Sequence, residues 1–225
     1  MQQFTLLLRL AAPLQSWGCE SHFDYRRTGP IPTKSGVVGL IAAAIGITRE
    51  QDAKIQKLAS STLFGVRVDQ PGEIIVDYQT VKGFNFLSKG TAYVTQREYL
   101  TDAAFLVGLS SPNREELEKI SKALQHPQFQ IYLGRKSCPA TLPLVLGIRE
   151  CDLESALRSE PRICSKWSEA KQKPECDIFI ETQSNEYENE RFTRYVGDYP
   201  LSFSLDEKKF GLRAETFRKP QSFKK

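Results

Sequence analysis

The order in which strand-like and helix-like segments follow one another restricts the fold of this chain more than any other feature. Apolar side chains at every second position from Phe4 to Leu10 predict a first strand. The small-residue stretch 36–45 and the amphipathic segment 110–125 predict helices, and apolar runs between and after them predict further strands. Up to Glu150 the segments read β-α-(α)-β-β-β-α-β, which predicts a mixed α+β domain over residues 1–150.

This order matches a ferredoxin-like pattern into which a hairpin has been inserted. The inserted segment, residues 81–96, is polar and broken by glycines, so it suits a protruding β-hairpin better than a core element. Exposed aromatic side chains often anchor interfaces, and those of this segment are candidates for contact with a partner: Phe84, Phe86 and Tyr93. The pattern weakens after Glu150, and residues 151–225 predict a small, mostly β C-terminal region.

Composition excludes several classes of protein. The longest uncharged apolar stretch, 36–48, is shorter than the roughly 20 residues that a membrane-spanning helix needs. The N-terminal segment has no basic start, and Arg9 interrupts its apolar run, so it is not a secretion signal. We therefore expect a cytoplasmic protein without membrane contact. The five cysteines form no CxxC pair and His22 and His126 are the only histidines, so we expect no metal site and no cofactor.

Positive charge is concentrated before the first predicted helix. The net charge of +4 falls within the first 150 residues, because acidic and basic side chains are equal in number after Glu150. Arg26, Arg27 and Lys34 lie close together, and no Asp or Glu occurs between Tyr25 and Arg49. A helix start already carries partial positive charge. Bases placed there predict an anion supplied from outside the chain, and a phosphate-bearing partner fits best.

The start of this helix has groups that suit a phosphate. Thr33 and Ser35 offer hydroxyls, Lys34 an ammonium, and Gly36 would let a ligand approach the backbone closely. The same residues equally fit an ordinary helix N-cap with the lysine in solvent.

A second basic group occurs in "YLGRKSCP". Here Tyr132, Arg135, Lys136 and Ser137 surround a predicted turn at Gly134. An arginine can bind phosphate through two donors and also stack on a base, and a tyrosine offers a stacking face. The alternative is a solvated basic loop with Tyr132 in the core.

Two further candidates lie beside predicted strand ends. Arg97 follows the hairpin directly and could reach RNA held beneath it, or could form a surface ion pair of little energetic weight. Trp17 could stack on a base while Gln15 and Ser16 read a base edge. A tryptophan, however, more often packs in the core.

Three stretches together resemble a known family. They are "LRLAAPLQSWG", "GPIPTKSGVVGLIAAAIGI" and "REYLTDAAFLVGL" followed by "YLGRKSCP", and in this order they are similar to CRISPR-associated RAMP proteins of the CasD family, a subunit of type I-E Cascade. The resemblance runs from Phe4 to about Ile148. It implies a ferredoxin-like (RRM/RAMP) domain with a β-hairpin thumb, and a non-catalytic, RNA-binding role in antiviral defence, in which the protein caps the 5′ handle of the crRNA.

The resemblance also implies partners and site residues. It implies contact with the crRNA, a CasC-like backbone subunit and a CasA-like large subunit, and indirect contact with target DNA, whose sequence would be read by the guide. The residues that match the family's handle site are Trp17, Thr33, Lys34, Ser35, Arg97, Arg135 and Lys136.

One departure from the family bears on catalysis. Related type I-C members cut RNA with a Tyr-Lys-His arrangement, and Gln79 stands in "DYQTV", where we expect the histidine. The alternative function is a metal-independent endoribonuclease that processes CRISPR repeat RNA. It would use His22 as acid or base, Tyr25 as hydrogen-bond donor and Lys34 as the clamp on the transition state.

Overall fold

A computed structural model of the chain describes residues 2–18, 24–82, 92–164, 175–182 and 193–222. Within these ranges the helices are α1 (Lys34–Ile45), α2 (Asp52–Ser60), α3 (Arg114–Gln125) and α4 (Leu153–Ser159). The strands are β1 (Phe4–Ala11), β2 (Leu14–Gln15), β3 (Trp17–Gly18), β4 (Tyr25–Arg26), β5 (Thr28–Gly29), β6 (Leu63–Gln70), β7 (Glu73–Lys82), β8 (Ala92–Thr101), β9 (Ala104–Ser111), β10 (Val145–Arg149), β11 (Glu175–Thr182), β12 (Thr193–Ser202) and β13 (Lys209–Ser222). No helix in the described ranges is long and apolar enough to span a membrane.

One antiparallel sheet organises the molecule. Its seven strands have the order β10-β1-β9-β6-β11-β13-β12. Strand β11 pairs with β6, with Phe179 opposite Val66, so the strands that follow residue 150 extend the sheet built by the preceding ones. The expected β-rich character of residues 151–225 is therefore present, but the sheet is continuous across the predicted boundary.

Both faces of the sheet are covered, which explains why β9 is buried along its whole length. Leu6, Leu8 and Leu10 of β1 belong to a core shared with α1, α2 and α3. The intervening Leu7 belongs to a second core, on the other face, to which α4 contributes Leu157. The alternation of a strand places successive side chains on opposite faces, and here both faces are apolar.

The helices differ in how clearly the sequence announces them. Helix α3 confirms its prediction, with Leu117, Ile120 and Leu124 buried and Asn113 accepting a hydrogen bond from the Glu116 N–H. Helix α4 lies in a segment expected to be a loop-rich connection. It is only seven residues long, and its cap, Asp152, is the one strong local signal.

A long hairpin projects from the large sheet. Strands β7 and β8 pair in continuous register from Glu73 opposite Thr101 to Lys82 opposite Ala92. The arms are therefore longer than the predicted hairpin at 81–96, and the tip at 83–91 lies outside the described residues. The single strand expected over 97–109 is wrong, because the chain turns at Asp102, which has a φ of 52°. Aspartate tolerates this left-handed conformation better than most residues.

Candidate nucleic-acid interface

An open cleft lies where the hairpin meets the loop that follows α3. Its volume is about 400 Å³. Strand β8 forms its floor, with β7 along one edge of β8 and the short strand β4 along the other. Four of the lining side chains are basic and none is acidic; the lining residues are Arg26, Gln79, Arg97, Tyr99, Tyr132, Gly134, Arg135, Lys136 and Ser137. The cleft is thus positive, and it includes two aromatic rings.

The loop over the cleft is held by backbone contacts. The Ser16 N–H donates to the Leu133 carbonyl at 3.0 Å, and the Leu133 N–H donates to the Cys138 carbonyl at 2.7 Å. Gly134 has a φ of +91°, and a Cβ at this position would lie 1.6 Å from the Ser16 carbonyl oxygen. Only glycine fits there. This close approach presents the basic residues that follow on the cleft side.

Arg135 connects three parts of the cleft. Its Nη1 donates to the Glu98 carbonyl on β8, and its Nη2 donates to the Arg26 carbonyl on β4, each at 2.8 Å. The guanidinium also lies 4.7 Å from the centre of the Tyr99 ring. Arginine can make these contacts at once because its planar group carries donors in a fixed fork.

Two more arginines are adjacent on the floor of the cleft. Arg26 and Arg97 are directly aligned in the parallel pairing of β4 and β8. Like charges on neighbouring strands repel each other, and the Nε of Arg97 is buried without a hydrogen-bond partner in the described part of the chain. An anion bound between the two side chains would relieve both conditions.

On the far side of Arg97 the hairpin contributes polar groups. Asp77 is aligned with Arg97 across β7 and β8, and its Oδ2 accepts a hydrogen bond from Gln79 Nε2 at 2.8 Å. Gln79 itself lines the cleft.

Comparison with known proteins places the chain in a family. A family model described as CRISPR-associated protein (Cas_Cas5) matches residues 5–214. The chain belongs to this family. The resemblance inferred from the sequence is therefore confirmed, and the match extends well beyond Ile148 into the C-terminal strands.

Individual relatives of this Cas5 chain agree with the family match. The CRISPR system Cascade subunit CasD of Escherichia coli (strain K12) is 40% identical over 159 residues, which are 63% of this chain and 70% of that protein. A solved structure of a CRISPR RNA-guided surveillance complex contains a chain that matches with a TM-score of 0.77 and 31% identity, over 97% of this chain and 90% of that one. A crystal structure of a Cas protein matches with a TM-score of 0.71 and 39% identity, over 95% and 93% of the two chains.

The start of α1 differs from its prediction. Thr33 caps the helix by accepting from the Gly36 N–H at 3.2 Å, as one reading of the sequence expects. The Lys34 N–H, however, donates to Asp198 Oδ2 at 2.7 Å, and the Lys34 ammonium lies 2.7 Å from Glu181 Oε2. The expectation that an anion comes from outside the chain is wrong here, because β11 and β12 supply two carboxylates.

Lys34 is consequently not available to RNA or to a transition state. Its side chain is only 2% exposed, and the contact with Glu181 uses its charge inside the protein. Burial lowers the pKa of the Lys34 ammonium, and the attraction of Glu181 partly offsets this effect. The predicted handle contact and the predicted catalytic clamp are both incompatible with this position.

Gly36 also has a structural explanation. A Cβ at Gly36 would lie 3.1 Å from the ring of Trp17 and 2.9 Å from Thr33 Oγ1. The residue therefore makes room for a buried indole rather than for a ligand. Ser35 is half-buried, and its hydroxyl points to Thr33 Oγ1 at 3.5 Å.

The predicted base-reading group at the end of β1 is part of the core. Trp17 is fully buried, and its Nε1 donates to Gln15 Oε1 at 3.1 Å. Gln15 is also fully buried, and its Nε2 donates to the Ala103 carbonyl at 2.7 Å. Ser16 is 4% exposed and acts through its backbone, which holds the loop over the cleft. None of the three side chains can meet a base in this structure.

The remaining predicted residues divide into two groups. The cleft brings together Arg26, Arg97, Tyr132, Arg135, Lys136 and Ser137. Tyr25 and Arg27 are exposed beside it but do not line it. The predictions for His22, Phe84 and Phe86, and for the side chain of Tyr93, lie outside the described residues.

Sequence reasoning missed two contributors to the cleft. Tyr99 was expected on a buried strand face, and it is buried, but Arg135 covers its ring and its hydroxyl lies 3.3 Å from Ser137 Oγ. Gln79 was noticed only as the residue that replaces a histidine. The alternation along β7 and β8 is the signal that places Gln79 and Arg97 on one face of the hairpin.

Proposed function

We propose that this protein is a non-catalytic crRNA-binding subunit of a type I-E CRISPR Cascade and that the cleft holds the 5′ handle. The observation that carries the proposal is the cleft lining, which combines four basic side chains with two tyrosines and contains no carboxylate. Membership of the Cas5 family and the relatives' assignment to Cascade and to an RNA-guided complex support it.

The proposal includes the architecture. The sub-order β10-β1-β9-β6 within the large sheet, with α1 and α3 packed together on one face, supports a ferredoxin-like RAMP domain. In this interpretation the β7–β8 hairpin is the thumb.

The chemistry of the cleft suits single-stranded RNA. Arg26 and Arg97 would bind a phosphate, with Lys136 adding charge from the loop. The Tyr132 ring would stack on an unpaired base, which is the usual mode of sequence-specific RNA recognition. Arg135 holds the loop and β4 in place for these contacts.

The cleft lining also supports a binding role over a catalytic one. Cleavage at a 2′-hydroxyl needs groups that accept and donate a proton near neutral pH. The lining residues include no histidine and no carboxylate, and the Lys34 that the ribonuclease alternative requires is paired with Glu181. Cleavage of repeat RNA by the purified protein in EDTA would contradict this part of the proposal.

Handle binding is tested by the double substitution Arg26→Ala/Arg97→Ala. We expect weaker binding of handle RNA and a shallower dependence of log affinity on log salt, by about 0.7 for each lost phosphate contact. The matched control is Lys54→Ala/Lys57→Ala, which removes two exposed cations from α2. Equal loss in both double variants would reduce the effect to net charge and would contradict the cleft assignment.

The outer face of the hairpin is the proposed contact with a CasC-like backbone subunit. Ile74, Val76, Tyr78 and Val94 alternate on this face and are between 47% and 66% exposed. Grouped apolar side chains at a surface mark interaction sites. From there the protein would bridge to the CasA-like large subunit and, through the guide, to target DNA.

This contact is tested by Val76→Ser/Tyr78→Ser. We expect the variant to fold and to bind handle RNA but to be lost from pull-downs with crRNA-loaded backbone subunits. The control is Tyr195→Ser, which removes an exposed tyrosine from β12. Normal assembly of the hairpin variant would require another contact surface.

A further inference from the structure

Gln79 differs in chemistry from the charged groups around it. The guanidinium and ammonium groups that line the cleft are hydrogen-bond donors only, and they are suited to phosphate. The Gln79 amide also lines the cleft, and its oxygen is an acceptor that phosphate cannot use.

The orientation of the Gln79 amide is fixed by its neighbour. Asp77 Oδ2 lies 2.8 Å from Gln79 Nε2, and since an ionised carboxylate only accepts hydrogen bonds, the nitrogen must face it. The backbone at Gln79 is also held, because Thr95 Oγ1 donates to the Gln79 carbonyl at 3.3 Å. No donor among the described residues hydrogen-bonds to Gln79 Oε1, which leaves an oriented acceptor at the cleft.

This acceptor lies beside the arginine pair. Gln79 is aligned with Thr95, and Arg97 is the next residue on the same face of β8. Diagonal neighbours of this kind are about 7–8 Å apart. A nucleotide whose phosphate lies between Arg26 and Arg97 can extend its sugar or base over this separation.

We infer that Gln79 is a specificity-determining residue, which accepts a hydrogen bond from the nucleotide whose phosphate the arginine pair binds. The donor is either a ribose 2′-hydroxyl or an exocyclic amine of a base, such as the C4 amine of cytosine. The inference rests on the proposed function, because it requires single-stranded RNA in the cleft. It adds that the cleft selects for a donor at this position.

The experiment measures ratios of affinity for the full chain. The variant is Gln79→Met, which keeps the length of the side chain but removes the acceptor. The matched control is Gln96→Met, at a half-buried glutamine on the opposite face of the same hairpin. The probes are fluorescent single strands of eight nucleotides: oligo-rC, oligo-dC and oligo-rU.

We expect the wild type to favour oligo-rC over one of the other two probes by about three- to tenfold, as one hydrogen bond provides. Preference over oligo-dC identifies the 2′-hydroxyl as the donor, and preference over oligo-rU identifies the amine. Gln79→Met should bring that ratio close to one, whereas Gln96→Met should preserve it.

Other outcomes overturn the inference in distinguishable ways. If the wild type binds oligo-rC and the Arg26→Ala/Arg97→Ala variant does not, but Gln79→Met keeps the wild-type ratio, the inference fails and the proposed function stands. Equal weakening of all three probes by Gln79→Met also contradicts the inference, since no discrimination is lost. If the wild type binds none of the probes or handle RNA, the proposed function and the inference fail together.

Discussion

The start of α1 and the cleft carry similar positive charge, yet the fold uses them in opposite ways. At α1 the Lys34 ammonium and the free N–H groups meet Glu181 and Asp198, which lie 147 and 164 residues away in the chain. In the cleft, Arg26 and Arg97 are adjacent and no carboxylate lines the surface. A basic cluster is therefore evidence of an external anion only after the rest of the fold has been searched for an internal one.

The two regions also differ in burial, and this sets the energetic scale. The α1 site belongs to a buried network in which Arg213 contacts both Asp198 and Glu215. A charge in such a place must be paired to be tolerated. The cleft residues are half-buried or exposed, so their charges remain solvated until a ligand arrives. Substitutions in the first region should change stability, and those in the second should change binding.

The largest expected effect is that of Glu181→Gln. The substitution keeps an acceptor for the Phe64 N–H but removes the charge that balances Lys34. Removal of one partner of a buried ion pair costs about 3–5 kcal/mol, and we expect the free energy of unfolding in urea to fall by this amount at neutral pH. The loss should shrink as the pH rises toward 10.5, the ordinary pKa of lysine. Burial lowers the pKa of Lys34 in the folded state, so the unfolded state binds more protons in that range and stability rises with pH.

The double variant Lys34→Met/Glu181→Gln separates stability from binding. An apolar side chain in place of the buried ammonium should recover much of the loss, because no unpaired charge remains. It should also bind handle RNA like the wild type. Selective loss of RNA binding in this variant would return Lys34 to the ligand site.

Arg135→Ala should have an intermediate effect, because this residue shares the properties of both regions. It loses two hydrogen bonds that join the loop to β4 and β8, worth about 0.5–1.5 kcal/mol each. We expect a loss of about 1–3 kcal/mol in stability together with weaker RNA binding. Thermal unfolding and RNA titration of the same samples measure the two effects.

Arg135→Lys is the sharper form of this test. Lysine keeps the positive charge but lacks the fork that reaches both carbonyls. We expect the salt dependence of RNA binding to stay close to that of the wild type while the stability loss persists. A lysine variant as stable as the wild type would mean that the two hydrogen bonds contribute little.

These contrasts explain how far the sequence could be read. The core strand β1 and helix α3 were predictable because their apolar positions repeat at the strand and helix periods. Gly134 was predictable as a turn, since a basic loop without glycine could not pass so close to Ser16. The position of Lys34 was not predictable, because nothing near it in the sequence indicates Glu181 or Asp198. Gln15 and Trp17 were misassigned for a related reason: polar atoms in a loop satisfied each other and Ala103 inside the core.

The smallest expected effect on stability is that of Lys136→Ala, and it isolates the charge of the cleft. The side chain is exposed and makes no hydrogen bond to the described residues, so the free energy of unfolding should change by less than about 0.5 kcal/mol. The slope of log affinity against log salt for handle RNA should nevertheless become shallower by about 0.7, the value for one phosphate contact on a single strand. The control is Lys119→Ala, an exposed lysine on α3, which should leave both quantities unchanged. Identical slopes for Lys136→Ala and the wild type would restrict the phosphate contacts to the arginines of the cleft floor, and the loop would then serve only to hold Tyr132 and Arg135 in position.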